Sequence, residues 1–122
     1  MKILIVDDDP LAGELVGALL EDFGHECQLA ENGIAALECL GPEAGIELVI
    51  SDLNMPLVSG LELFQELREQ GQEVAFILLT GDDPESLWAQ TPGLSGVLRK
   101  DGDLEETLPA LVASLGGADQ RG

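Results

Sequence analysis

Five short apolar segments alternate along this chain with segments that have the periodicity of amphipathic helices. The third and fourth are continuously apolar, which is typical of strands buried on both faces of a sheet. Strands that alternate with helices predict a parallel sheet covered by helices on both sides, joined by right-handed crossovers. In such a sheet, ligands bind beyond the carboxyl ends of the strands. The predicted strands are residues 3–6, 27–30, 48–50, 74–79 and 97–98.

The helical segments carry recognisable start and stop signals. Asp9 can cap the first helix, Pro10 suits its first turn, and Gly24 suits its end. The other predicted boundaries are a start after Asn32 and an end at Gly41-Pro42 for the second helix, an end at Gly71 for the third, a short fourth helix from about Pro84 to Gln90, and an end at Gly116-Gly117 for the fifth. We therefore expect one domain over residues 1–116, followed by a flexible tail or truncated linker over residues 117–122.

The chain is strongly acidic, with a formal net charge of −19 and only five basic residues. Such a surface repels phosphate backbones and anionic membranes, which argues against direct nucleic-acid or membrane binding and favours cations and basic protein faces. The apolar run at the N-terminus is too short for a signal peptide or a membrane span, which predicts a cytoplasmic protein. Cys27 and Cys39 lack the spacing of metal ligands and are expected to be buried free thiols.

Polar side chains of three chemical kinds lie at the ends of the predicted strands. Asp7 and Asp8 follow the first strand, Asp52 follows the third, Thr80 ends the fourth, and Lys100 follows the fifth. Because parallel strands end at the same edge of a sheet, we expect these groups to form one site. Crowded carboxylates repel one another, and a hard divalent cation such as Mg²⁺ relieves that repulsion. A carboxylate can also attack a phosphoryl group to form an acyl phosphate, whose charge a divalent cation and an ammonium group neutralise.

Other polar residues have simpler interpretations. Asp9 directly precedes Pro10 and is interpreted as a helix cap rather than as part of the site. The single histidine, His25, lies between Gly24 and Glu26 and is expected to be a solvated turn residue. Trp88 lies on the short fourth helix, where it is either partly packed or part of a contact surface.

The segments ILIVDDDP, VISDLNMP, ILLTG and LRK resemble the receiver domains of bacterial response regulators, and the resemblance covers nearly the whole chain. It implies a flavodoxin-like, doubly wound α/β fold with five parallel strands in the order 2-1-3-4-5 and five helices. It also implies a signalling domain in a two-component phosphorelay rather than an enzyme that turns over a substrate. The phosphoryl donor would be a sensor histidine kinase or a histidine phosphotransfer protein, while the downstream protein stays unknown.

The resemblance assigns roles to the residues at the predicted sheet edge. Asp52 matches the phosphoacceptor. Asp7 and Asp8 match the acidic pair that binds Mg²⁺ with it, Asp8 directly and Asp7 partly through water. Asn54 matches the position whose backbone carbonyl also binds Mg²⁺, which is the one cofactor implied.

Two further roles concern the transferred group. Thr80 matches the switch hydroxyl that moves toward the phosphoryl group, and Lys100 matches the lysine that pairs with it. Asn54 and Asp82 flank the place where a hydrolytic water would enter, although the sequence does not give the lifetime of the phosphorylated state.

Four features depart from the usual receiver pattern. Val97 stands where an aromatic residue usually rotates inward with the threonine, and its β-branched side chain cannot make that swing. Asp101 follows the lysine where a proline in a cis bond is usual, which favours a trans bond and a different placement of the lysine. The other two are Gly81, where alanine is common, and Thr91-Pro92, which shortens the fourth helix. All four lie on the face formed by the fourth helix, fifth strand and fifth helix, which predicts an atypical output face. The surrounding helices carry Asp and Glu with few bases, which argues against a charge-paired dimer through this face and predicts a monomer.

Two alternatives to a phosphorylated receiver remain open. One is an atypical receiver that acts as a phosphorylation-independent protein-interaction module, which Val97 and Asp101 favour. The other is a Mg²⁺-dependent phosphohydrolase with an aspartate nucleophile. Such enzymes need an acid or base two residues after the nucleophile, and Asn54 cannot serve in that role.

Overall fold

Strands and helices alternate strictly along the chain, as the sequence predicts. The computed structural model describes residues 1–41, 44–81 and 84–121, with Gln90 and residues 116–121 described by their backbone alone. Pro42, predicted at a helix end, and Asp82, predicted beside the water path, therefore lie outside the described residues. The elements are β1 Lys2–Val6, α1 Pro10–Glu21, β2 Glu26–Ala30, α2 Gly33–Cys39, β3 Leu48–Asp52, α3 Gly60–Glu69, β4 Ala75–Thr80, α4 Pro84–Gln90, β5 Gly96–Arg99 and α5 Leu104–Arg121.

The strands form one parallel sheet in the order β2-β1-β3-β4-β5, which confirms the predicted flavodoxin-like fold. The register sets which side chains share the carboxyl edge. Val6 pairs with Ser51, so the residues that follow them, Asp7 and Asp52, emerge at the same level. Thr80 pairs with Arg99, so Lys100 emerges just beyond Thr80.

The core has two layers, one on each face of the sheet. Successive strand residues point to opposite faces, so Phe76 and Leu78 belong to one layer while Ile77 and Leu79 belong to the other. The first layer is closed by α2 and α3 through Ala36, Leu63, Phe64 and Leu67, and the second by α1 and α5 through Val16, Leu20, Leu108 and Val112. Burial on both faces explains why β3 and β4 read as continuous apolar runs.

Helix starts follow the predicted capping pattern. The Asp9 carboxylate accepts a hydrogen bond of 3.0 Å from the Leu11 backbone N–H, and the Asn32 side chain accepts one of 2.7 Å from Ala35. At the start of α3, Ser59 and Glu62 form a reciprocal capping box. These caps place the first turns of α1 and α3 next to the carboxyl edge of the sheet.

Three sequence-based expectations require correction. Helix α5 continues through the Gly116-Gly117 pair to Arg121, because neither glycine adopts the positive φ that ends a helix. The thiols of Cys27 and Cys39 are only half-buried, since β2 is an edge strand and Cys39 is the last residue of α2. His25 is half-buried rather than fully solvated. The domain boundary at residue 116 stays a prediction.

The imidazole of His25 is also unusual in its hydrogen bonding. Its Nδ1 atom is buried without a hydrogen-bond partner among the described residues. Burial, together with the positive N-terminus, lowers the pKa of this imidazole below its ordinary value. The neutral form is therefore favoured at neutral pH.

Candidate functional site

Three carboxylates meet at the carboxyl edge of the sheet. One oxygen each from Asp7, Asp8 and Asp52 lies within 4.8 Å of the others. Asp7 is buried, Asp52 is half-buried and Asp8 is exposed. The loop after β1 and the end of β3 bring them together because these strands are neighbours in the sheet.

Asp7 is held by contacts to both of its carboxylate oxygens. Oδ1 accepts a hydrogen bond of 2.9 Å from the Asp9 backbone N–H, and Oδ2 accepts one of 3.4 Å from the Lys100 ammonium. Its side chain is only 4% exposed. A buried carboxylate needs such partners, because an unpaired charge away from water is strongly destabilising.

The Lys100 ammonium bridges two acids from different strands. Its Nζ lies 3.4 Å from Asp7 Oδ2 and 3.3 Å from Asp52 Oδ1. Its backbone N–H donates a hydrogen bond of 2.8 Å to the Thr80 carbonyl, which continues the β4–β5 ladder past Arg99. The Lys100–Asp101 peptide bond is trans, as expected, and the lysine still reaches both carboxylates.

The pKa values of Asp52 and Lys100 are both raised, but for different reasons. Burial raises the pKa of Asp52 above its ordinary value; Lys100 acts in the opposite direction, while Asp7 and Asp8 add to the increase. For Lys100, burial alone would lower the pKa, but the carboxylates of Asp52 and Asp7 outweigh it and raise the pKa. At neutral pH the lysine is therefore charged, and the acids around it are crowded.

The two remaining predicted residues lie beside this cluster. Thr80 is buried at the end of β4, one position beyond Leu79, which pairs with Asp52. Asn54 lies in the loop after β3, two residues beyond Asp52, and is exposed. The structure thus brings Asp7, Asp8, Asp52 and Lys100 into one cluster, with Thr80 on the adjoining strand and Asn54 in the adjoining loop.

The loop between β3 and α3 contains positioning residues that sequence reasoning missed. Leu57 has a φ of 71°, and the Val58 N–H donates a hydrogen bond of 2.8 Å to the Pro56 carbonyl across it, which is a γ-turn. A leucine carries no sequence signal for this conformation. The loop closes where the Gly60 N–H donates to the Leu53 carbonyl at 2.9 Å.

Gly60 itself lies against the end of β3. A Cβ atom at this position would lie 2.4 Å from the Asp52 carbonyl oxygen and 2.8 Å from Leu78 Cδ2, so only glycine fits. The Ser51 hydroxyl donates a hydrogen bond of 2.9 Å to the same Asp52 carbonyl. The sequence signal for this close packing is a glycine directly after a helix-capping serine.

The donor set suits a hard divalent cation. Three carboxylates supply only oxygen ligands, and one of them is exposed, which leaves space for bound water. The raised pKa of Asp52 reflects charge crowding as well as burial, and a cation would relieve the crowding. The residues at this edge therefore fit Mg²⁺.

Comparison with known proteins decides the family. The family model described as "Response regulator receiver domain" matches residues 3–112. The chain belongs to the receiver-domain family of response regulators. This receiver domain is thus a signalling domain of two-component systems.

Individual relatives agree with the family. Response regulator MprA of Mycobacterium avium is 33% identical over 117 residues, which cover 94% of this chain and 51% of MprA. Sensor histidine kinase RcsC of Salmonella typhimurium is 37% identical over 82 residues, which cover 67% of this chain and 8% of RcsC. The structure of response regulator TrrA from Thermotoga maritima, in complex with Mg²⁺ and BeF, has a TM-score of 0.81 and 33% identity, covering 93% of this chain and 97% of TrrA.

The receiver domain spans about half of MprA and a small part of RcsC, so the activities of those whole proteins do not transfer to it. Within the described residues, no helix is both long and apolar enough to cross a membrane.

Proposed function

We propose that this receiver domain accepts a phosphoryl group on Asp52 in a Mg²⁺-dependent reaction. The observation that carries the proposal is the position of the Lys100 ammonium, which lies 3.3 Å from Asp52 and 3.4 Å from Asp7 with Asp8 beside them. A nucleophile, a cation site and a fixed ammonium group are the parts that phosphoryl transfer to a carboxylate requires.

The proposed transfer forms an acyl phosphate. A carboxylate oxygen of Asp52 attacks the phosphorus of a phosphohistidine on a sensor histidine kinase or a histidine phosphotransfer protein. The new P–O bond forms as the P–N bond breaks, and the departing imidazole keeps the electron pair and takes up a proton from solvent. Lys100 stabilises the charge on the phosphoryl oxygens, and the Thr80 hydroxyl donates a hydrogen bond to one of them.

The metal would be held by Asp7, Asp8, Asp52 and the backbone carbonyl of Asn54. When bound, Mg²⁺ neutralises negative charge on the carboxylates and on the transferred group. Asp7 is oriented by hydrogen bonds from the Asp9 backbone N–H and the Lys100 ammonium. Asn54 cannot act as a general acid or base, which supports a domain that stores a phosphoryl group rather than an enzyme that turns over a substrate.

The proposal also covers the partners of the domain and its location in the cell. The domain would act in the cytoplasm as a monomer, without contacting nucleic acid or membrane, and would pass its signal to a downstream protein. The buried Val97 and the trans bond before Asp101 support an output face that differs from the usual one. The same two features support the second candidate function, a phosphorylation-independent interaction module.

The intact mass of the protein after incubation with Mg²⁺ and acetyl phosphate tests the proposal. We expect one added phosphoryl group in the wild type and none in Asp52→Asn or after chelation of Mg²⁺. A matched control is Glu38→Gln, which removes an exposed acid on α2 and should leave the addition unchanged. No addition to the folded wild type would favour the interaction module.

A further inference from the structure

A cleft lies between α4 and β5, outside the carboxylate cluster. It has a volume of about 210 Å³ and is lined by Pro84, Glu85, Trp88 and Val97. Val97 is 7% exposed, whereas Trp88 is 48% exposed. We refer to this feature as the α4–β5 cleft. A large aromatic side chain therefore borders an open space beside a buried apolar residue.

This arrangement allows Trp88 two positions. An exposed indole gains free energy when its apolar surface leaves water, and the cleft is large enough to receive the ring. Tryptophan reaches different positions by rotation between staggered side-chain conformations, without a change in the helix backbone. The position observed, half in solvent at the border of the cleft, is one of the two.

The walls of the cleft are connected to the candidate phosphorylation site. Helix α4 follows the end of β4 at Thr80 after three residues, and α4 packs on β5. Strand β5 carries Val97 and leads directly to Lys100, whose N–H is bonded to the Thr80 carbonyl. A displacement of Thr80 can therefore be passed to α4 along the chain, and a displacement of Lys100 can be passed to β5.

We propose that Trp88 turns into the α4–β5 cleft and packs on Val97 when Asp52 is phosphorylated. A phosphoryl group on Asp52 attracts the Lys100 ammonium and accepts a hydrogen bond from the Thr80 hydroxyl. Both interactions shift the walls of the cleft and favour the buried position of the indole ring. The outer surface of α4 is then more apolar in the unphosphorylated form, where Trp88 is exposed, than in the phosphorylated form, where it is buried. This inference rests on the proposed function.

Intrinsic fluorescence gives a direct test, because Trp88 is the one tryptophan and the chain contains no tyrosine. We expect a blue shift of emission when the protein is treated with Mg²⁺ and acetyl phosphate. We also expect the acrylamide quenching constant to fall at least about twofold, since an exposed indole becomes buried. The intact mass of the same sample reports how much of the protein carries a phosphoryl group.

Three variants sharpen the test. Asp52→Asn should show neither the added mass nor the fluorescence change. Val97→Phe fills the cleft from β5, so it should gain the phosphoryl group while Trp88 stays exposed; far-ultraviolet circular dichroism checks that it is folded. Val97→Ala is the second variant in case Val97→Phe does not fold; it removes apolar surface on which the ring packs, so it should gain the phosphoryl group with a smaller decrease in quenching than the wild type.

The outcomes separate the inference from the proposed function. Absence of added mass in the wild type overturns the proposed function. Added mass with unchanged emission and quenching overturns the role of Trp88 while leaving phosphorylation intact. A change that appears only at high protein concentration also overturns it, because a second copy would then be covering the ring.

Discussion

At the scale of single residues, the site combines one exposed acid, one half-buried acid and one buried acid around a single ammonium group. Burial raises the pKa of Asp52 despite the neighbouring lysine. The folded state therefore holds the proton of Asp52 more tightly than the unfolded state does. It follows that the ionised Asp52 carboxylate destabilises the fold when no metal is bound.

The sign of this effect gives a stability prediction for Asp52→Asn. Because the folded-state pKa is raised, the contribution of Asp52 is favourable below its unfolded pKa and is lost as pH rises through its folded pKa. In the presence of a chelator, Asp52→Asn should therefore be more stable than the wild type at neutral pH. The gain should shrink in acid. Urea denaturation across a pH series measures both.

Addition of Mg²⁺ should reverse the order of the two proteins. A ligand that binds only the folded state at 100 times its dissociation constant stabilises it by about 2.7 kcal/mol. We expect the wild type to gain on this order and Asp52→Asn to gain much less. Glu38→Gln, which lies outside the carboxylate cluster, should respond as the wild type does. Equal gains for all three proteins would contradict a metal site that includes Asp52.

At the scale of secondary-structure elements, the junction between β3 and α3 sets the position of Asp52. Gly60 is the first residue of α3, and its missing side chain lets the helix start directly against the Asp52 carbonyl. The Ser59–Glu62 capping box fixes the start of the helix at that residue. The end of β3 and the start of α3 therefore form one packed unit.

This close approach predicts that Gly60→Ala destabilises the fold. Alanine favours helices, but its Cβ would lie 2.4 Å from the Asp52 carbonyl oxygen, so the backbone must move. Overpacking of this kind costs about 1–3 kcal/mol, and we expect phosphoryl uptake to slow as well. The measurement is urea denaturation, together with the rate of mass addition from acetyl phosphate.

Gly41→Ala provides the matched comparison for Gly60→Ala. A Cβ at Gly41 meets nothing within 4 Å, and its φ is not positive. Its unfolding free energy should stay within about 0.5 kcal/mol of the wild type. If both variants lose the same stability, loss of glycine itself rather than the contact with Asp52 would be responsible.

The elements were largely predictable from the sequence, because apolar runs end where polar site residues begin. The alternation of strands and helices, the caps at Asp9 and Asn32, and the gathering of acids at one edge all follow from local patterns. What the sequence did not reveal depends on contacts between distant residues. The close packing at Gly60 needs the position of β3 relative to α3, and the positive φ of Leu57 is imposed by loop closure.

The differences among the three acids were likewise hidden in the sequence. Asp7 and Asp8 are adjacent and chemically identical, yet Asp7 is buried and Asp8 is exposed, since successive residues at a strand end point in different directions. The continuation of helix α5 through Gly116 and Gly117 was hidden as well, because the local sequence does not decide whether these glycines adopt a positive φ. Sequence reasoning identified the participants but not their individual environments.

At the scale of the whole molecule, a net charge of −19 on 122 residues opposes the compact state through self-repulsion. Salt should therefore stabilise this receiver domain. Most of the gain should occur between roughly 0.01 and 0.1 M KCl, where the Debye length falls from about 30 to about 10 Å. The urea midpoint across a KCl series, in the presence of a chelator, measures the effect.

The comparison with Mg²⁺ at matched ionic strength separates general screening from binding at the site. Wild type should gain more from Mg²⁺ than from KCl, while Asp52→Asn should gain nearly equally from both. A urea midpoint that falls as KCl is added would contradict the role assigned to self-repulsion.

Because of the strand order, the acids and the lysine of the site are attached to strands that differ in stiffness. Asp7 and Asp52 are attached to β1 and β3, which are paired on both sides, whereas Lys100 follows β5, a four-residue strand at the border of the sheet. A short strand with one neighbour deforms at lower cost than a central one. The two carboxylates are therefore attached to the rigid centre of the sheet, and the lysine is attached to its more easily deformed edge. When negative charge is added to the site, we expect the lysine to move more than the carboxylates.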